Sequence, residues 1–320
     1  MIDYVKLVIY GCKYTPNFST CKAYSCKLND SGIETYKIDA GYNDLDVRYS
    51  PTGVMIIEGS LPYFYQGHNF TYSNEAYVET INMLQDLLEV ELWDAVVDEF
   101  EFGCIFPVEV KPVSYIRNHY ANPKAKLTME ERGKDKGTCR RWEDTARRLK
   151  MYDAGKNIKG KVAEGIRQSI EGFNPKSNYL KFELHYKNPP LLLGRGITAD
   201  ELRNPTFLNT LVTQLKEQYK ILIPMGKLML PSDSILRWEL IPLWAYINHR
   251  MDEGISERNA RMELNAIIDQ LPALNKNAKE NKKGKIRVNC KAFQKAPKSY
   301  WDLTEKISAA LAAEGIPTQE

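Results

Sequence analysis

Residues 95–106 have the sequence Ala-Val-Val-Asp-Glu-Phe-Glu-Phe-Gly-Cys-Ile-Phe, and this stretch decides the fold. Phe100 and Phe102 alternate with Glu99 and Glu101. Successive side chains of a β-strand point to opposite faces of its sheet. The segment therefore predicts a strand that has one aromatic face and one acidic face.

Further strands are predicted at 1–10, 54–58, 149–152 and 179–186, and an amphipathic helix at 74–88. From about residue 195 the pattern becomes mainly helical, with helices expected at 198–220, 231–250, 256–270 and 299–314. Residues 275–285 are predicted to be an exposed basic loop. This order indicates an α+β domain over residues 1–192, followed by a mainly helical domain over 193–320.

Composition limits the class of protein. The chain has 320 residues, of which 43% are hydrophobic and 27% charged, as in ordinary globular proteins. No run of 18 apolar residues predicts a membrane span, and the first residues lack the pattern of a signal peptide. The six cysteines are scattered and form no Cys-x-x-Cys pair. We therefore expect a cytoplasmic protein with reduced thiols.

Charge is distributed unevenly along the chain. Residues 1–100 contain 6 Lys+Arg and 15 Asp+Glu, a net charge of −9. Residues 111–161 contain 15 and 6, and residues 271–300 contain 9 and 1, so their net charges are +9 and +8. Two basic blocks in an otherwise acidic protein indicate a polyanionic partner, although a solvated basic surface would give the same pattern.

The strand at 179–186 carries a candidate metal site. Glu183 and His185 are two residues apart, so they share one face of the strand. A carboxylate and an imidazole can bind a divalent metal ion, and Asp98, or Glu99 with Glu101, could complete the site from a neighbouring strand. His68, in the polar segment 66–69, is a further candidate ligand. The alternative is that all these groups are ordinary strand and turn residues facing solvent.

Tyr152 follows the cations Arg147, Arg148 and Lys150. A phenol is a poor nucleophile at its usual pKa of about 10, but neighbouring cations and a metal-bound phosphate would make attack on phosphorus feasible. A packing role is the alternative for an amphipathic ring. The sequence lacks the motifs of P-loop ATPases, dinucleotide enzymes, zinc peptidases and esterases.

Several segments together resemble the filamentous-phage replication initiators of the gene II protein family, which are related to the Rep proteins of rolling-circle plasmids. The segments that carry the resemblance are residues 1–3, 66–69, 86–90, Tyr152, 181–183, 299–301 and 314–317. Their order and spacing carry it, rather than any single motif.

The resemblance implies a central antiparallel sheet with the active site on its open face, and a metal-dependent endonuclease that nicks one DNA strand at a replication origin. In this reaction a tyrosine attacks a phosphodiester and leaves a 5′-phosphotyrosine and a free 3′-hydroxyl. The expected partners are single-stranded and supercoiled double-stranded DNA, with a host helicase as a further candidate, and the expected cofactor is Mg²⁺ or Mn²⁺.

The resemblance points to Tyr152, Glu183 and either Asp98 or Glu99, and with the residues suggested by charge and residue type the candidate site residues fall into three groups. The catalytic group contains Tyr152 as nucleophile with Lys150 and Lys156. The candidate metal ligands are Glu183, Asp98, Glu99, His185 and His68. The expected DNA-binding residues are Arg140, Arg141, Arg147, Arg148, Lys282, Lys283, Lys285 and Arg287.

Two other functions are compatible with the sequence. Ala154 and Asn157 stand where the family has a lysine and an acid, which favours a DNA-binding protein without nuclease activity. A plasmid-mobilisation relaxase would use the same tyrosine chemistry at a transfer origin.

Overall fold

The acidic and aromatic strand predicted at 95–106 lies near the centre of a large sheet. The computed structural model describes residues 1–12, 18, 27–28, 32–38, 40–121, 126–129, 138–224, 228–229, 246–247, 250, 255–272, 274–290, 294–295 and 302–313. The protein has an α+β fold, and its chain divides into two units. Unit 1 contains Met1–Ile116, Pro123–Lys220 and Thr304–Glu320, and unit 2 contains Arg117–Asn122 and Ile221–Leu303.

Unit 1 is built on a ten-stranded sheet in which every strand pair is antiparallel. The strands are β1 (Ile2–Ile9), β2 (Lys27–Leu28), β3 (Glu34–Ile38), β4 (Leu45–Tyr49), β5 (Met55–Ser60), β6 (Val96–Val108), β8 (Lys126–Met129), β9 (Cys139–Glu143), β10 (Arg147–Asp153) and β11 (Asn178–Tyr186). Their order in the sheet is β2-β3-β4-β5-β1-β6-β11-β10-β9-β8. The predicted strands at 1–10, 54–58, 95–106, 149–152 and 179–186 are therefore confirmed.

Eight α-helices of unit 1 are described, seven of them before residue 222. These seven are α1 (Leu61–Gln66), α2 (Asn74–Leu88), α3 (Pro112–Asn118, whose last two residues fall in unit 2), α4 (Ala154–Lys161), α5 (Glu164–Ser169), α6 (Pro189–Leu193) and α7 (Pro205–Ile221, whose last residue falls in unit 2). The helix α10 (Thr304–Ala313) also belongs to this unit. The helix predicted at 74–88 is confirmed as α2, which begins at the cap Ser73, whose side chain accepts from the amide of Ala76.

The sheet of unit 1 has one apolar face. Phe100, Phe102, Phe182 and Met151 are fully buried on it. Helix α7 covers part of this face, since the rings of Phe182 and Tyr219 lie 5.6 Å apart in an edge-on arrangement. The hydroxyl of Tyr186 donates to Gln214 of the same helix at 2.8 Å. Burial of these large side chains is the main stabilising term for the sheet.

The described residues of unit 2 form short strands and two longer helices. The strands β7 (His119–Ala121) and β12 (Ile223–Pro224) pair with each other, as do β13 (Leu228–Met229) and β14 (Gln294–Lys295). Helix α8 (Glu257–Gln270) confirms the prediction at 256–270, and its cap Ser256 accepts from the amide of Asn259 at 3.3 Å. The helix predicted at 231–250 falls mostly outside the described residues.

The prediction of a loop at 275–285 is wrong, because these residues belong to helix α9 (Lys276–Cys290). Asn275 caps the helix by accepting from the amide of Ala278 at 2.9 Å. Lys283 makes ion pairs with Glu280 at 3.1 Å and Asp269 at 2.5 Å. Lysine also has a good intrinsic helix propensity, so a lysine-rich stretch with a cap and acidic partners forms a helix.

Gly103 on β6 allows the central strands to pair closely. A Cβ atom at this position would lie 2.4 Å from the carbonyl oxygen of Phe182 and 2.5 Å from the Cβ of Glu183. The backbone of Gly103 also pairs with Met1, since its amide donates to the Met1 carbonyl and its carbonyl accepts from the N-terminal ammonium group, both at 3.1 Å. Only glycine fits between strands β1 and β11 at this point.

We expect Gly103→Ala to lower the free energy of unfolding by about 3 kcal/mol or more, because the methyl group must displace backbone atoms of β11. The control is Gly165→Ala in helix α5, where a Cβ atom would meet nothing within 4 Å. That change should be neutral or stabilise by up to about 1 kcal/mol. Urea unfolding followed by circular dichroism measures both. Equal effects of the two substitutions would contradict this account of Gly103.

Candidate functional site

The other face of the central sheet carries charged groups, which the strand register brings together. Glu183 of β11 lies opposite Gly103 of β6 and opposite Lys150 of β10. His185 lies opposite Glu101 in the same way. Directly paired residues share a face, so the period of two that buries the phenylalanines on one side gathers these polar side chains on the other.

Asp3 reaches this cluster from β1, across the intervening strand β6. The pairing of β1 with β6 changes register between Ile2 and Val5, as at a β-bulge. The carboxylate of Asp3 accepts a hydrogen bond from the ammonium group of Lys181 on β11, two strands away. Gly103 has no side chain to fill the space between them, which explains how groups on non-adjacent strands make contact.

Asp3 is held in place by two further hydrogen bonds. The hydroxyl of Ser60 donates to Asp3 Oδ1 at 2.5 Å, and the amide of Asn69 donates to Oδ2 at 2.6 Å. Asn69 itself is buried. Ser60 ends β5 and Asn69 follows α1, so the connection between β5 and α2 forms one wall of the cluster.

Positive and negative groups alternate through the cluster. Lys181 Nζ bonds Asp3 and lies 2.8 Å from Glu183 Oε2. Lys150 Nζ lies 3.0 Å from Glu183 Oε1 and also bonds Glu101. We call the series of groups the charge chain. In the order of their contacts, its members are Asp3, Lys181, Glu183, Lys150, Glu101, His185, Glu99, Lys6 and Asp98.

His185 continues the charge chain on the far side of Glu101. Its Nδ1 lies 2.9 Å from Glu101 Oε1, and its Nε2 lies 2.9 Å from Glu99 Oε2. Each nitrogen of the His185 ring therefore faces one carboxylate oxygen of strand β6. Lys6 then joins Glu99 at 3.6 Å and Asp98 at 2.5 Å at the exposed end.

In the buried part of the charge chain, neighbouring groups of opposite charge favour the ionised forms of the side chains. Burial acts to lower the pKa of Lys181, but the charges of Asp3 and Glu183 outweigh it and raise that pKa well above the ordinary value. Burial also acts to lower the pKa of Lys150, but the charges of Glu183 and Glu101 outweigh this effect and raise that pKa. Burial raises the pKa of Glu101, yet its hydrogen bond with His185 and the charge of Lys150 bring that pKa down to about 2.

Three of these acids could hold a metal ion. Asp3, Glu101 and Glu183 are buried, and each offers a carboxylate oxygen within 4.8 Å of the others. We call these three residues the acidic triad. A set of carboxylate oxygens suits a hard divalent cation. The donor set fits such an ion, although Lys150 and Lys181 also bond to the same carboxylates.

Tyr152 lies beside the acidic triad. It is paired with Lys181 across the two strands, and its hydroxyl lies 3.5 Å from Glu183 Oε2. The Lys181 ammonium group lies 5.8 Å from the centre of the Tyr152 ring. Burial and the charge of Glu183 raise the pKa of Tyr152 well above 10, so the hydroxyl keeps its proton in this arrangement.

The structure brings together some of the predicted site residues and separates others. Tyr152, Lys150, Glu183 and His185 lie within the cluster. Glu99 joins it only through His185 and Lys6, and Asp98, half exposed, bonds Lys6.

Two other candidates lie outside the charge chain. The His68 ring accepts from the amide of Phe70 at 3.3 Å, in the turn after α1, and burial lowers the pKa of His68. Lys156 is exposed in the first turn of α4.

The expected DNA-binding residues are dispersed. Arg147 and Arg148 pair with Asp144 and Glu143, both at 2.9 Å. Arg140 is fully buried and lies opposite Met151 in the register, on the apolar face. Arg141 lies opposite Lys150. Lys282, Lys283, Lys285 and Arg287 all belong to helix α9 in unit 2, and the side chains of the last two lie outside the described residues.

Sequence reasoning missed Asp3 and Lys181 as members of the site. The signal for Asp3 was an acid in a strand whose only other charged residue is Lys6, and the signal for Lys181 was its position two residues before Glu183 on the same face. Among the described residues no helix is both long and apolar enough to cross a membrane. Comparisons with protein-family models, with curated proteins and with solved structures find no match.

We expect Lys181→Met to lower the free energy of unfolding by about 3 to 5 kcal/mol, because Asp3 and Glu183 lose a buried countercharge. Adding Asp3→Asn should restore part of this loss, since one uncompensated charge is removed, and the double-mutant cycle should give a coupling of about 1 to 3 kcal/mol. Chemical denaturation of the four proteins measures it.

The control for this cycle is Lys187→Met. Lys187 pairs with Glu143 at 2.8 Å near the surface, where a lost ion pair costs at most about 1 kcal/mol. Additive effects of Lys181→Met and Asp3→Asn would show that the two groups are not energetically coupled.

Proposed function

We propose that the protein nicks and rejoins DNA by transfer of a phosphodiester to Tyr152, at a replication origin, as the resemblance to the phage and plasmid Rep proteins implies. The observation that carries the proposal is the position of the Tyr152 hydroxyl, 3.5 Å from Glu183, a member of the acidic triad. A tyrosine beside a carboxylate set of this kind has the groups that phosphoryl transfer requires.

The reaction exchanges one phosphate ester for another. The Tyr152 hydroxyl gives its proton to Glu183, and the phenolate oxygen forms a bond to phosphorus. The bond from phosphorus to the 3′-oxygen of the DNA breaks, and that oxygen takes up a proton from solvent. The product is a 5′-phosphotyrosine with a free 3′-hydroxyl. Because the phosphoester energy is retained, the same steps in reverse rejoin the strand.

The acidic triad supports a metal-dependent reaction. Asp3, Glu101 and Glu183 would hold the ion, and their hard oxygen ligands favour Mg²⁺ or Mn²⁺. When bound, such an ion polarises the phosphate and stabilises the negative charge that develops on it. The Lys181 ammonium group lies 5.8 Å from the centre of the Tyr152 ring, and its charge acts to lower the pKa of the hydroxyl, against the larger effects of burial and Glu183.

The second candidate function is DNA binding without cleavage, at an origin or elsewhere on a replicon. The observation that favours it is the charge chain, in which Lys150 and Lys181 already neutralise two of the three charges of the acidic triad. The basic groups of β9, β10 and α9 would then bind phosphates, with an affinity that falls steeply with salt. The two functions differ in whether a covalent adduct forms.

We expect Mn²⁺ to raise the melting temperature of the wild-type protein, by an amount equivalent to about 2.7 kcal/mol at one hundred times its dissociation constant. Glu101→Gln should remove most of this effect. Asp98→Asn is the matched control, because it removes an acid from the same strand outside the acidic triad, and it should leave the effect intact. Loss of the Mn²⁺ effect in Asp98→Asn but not in Glu101→Gln would place the ion elsewhere.

We expect the wild-type protein, mixed with Mn²⁺ and single-stranded or supercoiled DNA of its own replicon, to form a covalent adduct that survives a denaturing gel. Tyr152→Phe should abolish the adduct and leave DNA binding, because only the nucleophilic oxygen is lost. Tyr4→Phe, a change on the same face of the sheet beside His185, is the control and should keep the adduct. Mass spectrometry of the linked peptide identifies the tyrosine.

Each outcome of the adduct assay separates the candidates. An adduct on another tyrosine would contradict the assignment of Tyr152. Salt-sensitive DNA binding with no adduct under any metal condition would support the non-catalytic function.

A further inference from the structure

Lys150 and a metal ion would compete for the same carboxylates. The Lys150 ammonium group bonds Glu101 and lies 3.0 Å from Glu183 Oε1, and both acids belong to the acidic triad. The oxygens of the triad lie within 4.8 Å of one another. A cation held by all three would come to the centre of that space, next to the Lys150 ammonium group, where two positive charges repel strongly.

Lys181 and Lys150, the two lysines that form ion pairs with the acidic triad, differ in how firmly they are held. The side chain of Lys181 is 1% exposed and bonds Asp3, which is itself fixed by Ser60 and Asn69. The side chain of Lys150 is 16% exposed and lies on the open side of the cluster. A lysine has four methylene groups and can turn its ammonium group towards water without moving its backbone. Lys150 is therefore the lysine that can leave.

The net charge of the acidic triad and its two lysines becomes zero when Lys150 is exchanged for a divalent ion. With both lysines in place, the triad and its lysines carry three negative and two positive charges. With a divalent ion in place of Lys150, the three negative charges face Lys181 and the ion, and the buried group becomes neutral. If Lys150 stayed, the buried group would carry an uncompensated positive charge, which is costly in a buried site.

We propose that a divalent cation binds the acidic triad in exchange for the ammonium group of Lys150, which then becomes a ligand for a phosphate on the open face. This inference rests on the metal-dependent part of the proposed function. Arg148, Lys150 and Tyr152 alternate along β10 and share a face, so a released Lys150 lies beside the nucleophile. Metal binding thereby supplies a cation at the position where the scissile phosphate must bind.

The first experiment measures Mn²⁺ affinity by calorimetry for Lys150→Gln and for the wild type. Lys150→Gln removes the competing charge, so Mn²⁺ should bind at least about tenfold more tightly, which corresponds to about 1.4 kcal/mol. Lys161→Gln is the charge-matched control on the exposed end of helix α4, and its affinity should equal that of the wild type. Unchanged or weaker binding by Lys150→Gln overturns the inference.

The second experiment uses the wild-type protein alone, so it does not depend on the folding of a variant. Brief labelling with an amine-acylating reagent, followed by mass spectrometry, reports how accessible each lysine is. Mn²⁺ should increase the labelling of Lys150 severalfold, leave Lys181 protected and leave Lys161 unchanged. Labelling of Lys150 that Mn²⁺ does not increase overturns the inference.

The calorimetry and labelling experiments test the exchange of Lys150 independently of the adduct assay. A protein that passes both tests but forms no adduct with DNA retains the exchange of Lys150 for a cation and loses the proposed strand transfer. A protein that does not bind Mn²⁺ at all loses the exchange, whatever its activity on DNA.

Discussion

The charge chain across strands β1, β6, β11 and β10 is the feature on which the rest of the central sheet depends. Charged groups at this depth persist only if each is close to a group of opposite sign. That condition determines details that would otherwise look unrelated. Gly103 leaves room for Asp3 to reach Lys181, the register shift in β1 directs Asp3 to that place, and Ser60 and Asn69 hold it there. The apolar face of the same strands supplies the burial energy that offsets the cost of desolvating the cluster.

The same arrangement connects the sheet with the proposed chemistry. The hydroxyl of Tyr152 faces a carboxylate of the acidic triad, whereas Tyr186 lies on the apolar face and donates to Gln214. With the lysines in place, the Tyr152 hydroxyl is held neutral by burial and by Glu183. The proposed nucleophile therefore carries its proton in this arrangement, and the proposed strand transfer would require a change of charge at the acidic triad.

The sequence predicted the strands and part of the site because both follow from local periodicity. Alternation along β6 and β11 placed Glu99, Glu101, Glu183 and His185 on polar faces. It could not identify Asp3 as their partner, because that contact depends on the order β1-β6-β11 and on a register shift, which are long-range properties. Nor could it choose among Asp98, Glu99 and Glu101, because that choice needs the pairing register of β6 with β11. The boundary predicted at 192/193 followed the change from strands to helices, whereas helix α7 packs on the sheet and the contacts group it with unit 1.

Stability alone does not explain the charge chain. Replacing a buried ion pair by apolar side chains of similar volume is often neutral or stabilising, so a sheet of this kind would fold at least as well with leucine or methionine at several of these positions. Apolar residues could not provide a set of carboxylates that can bind either an ammonium group or a metal ion. An ammonium group and a metal ion are alternative countercharges for the same oxygens, and only an ionised cluster can exchange one for the other. We therefore propose that the buried charges serve to bind a cation, and this proposal does not depend on whether Tyr152 takes part in strand transfer.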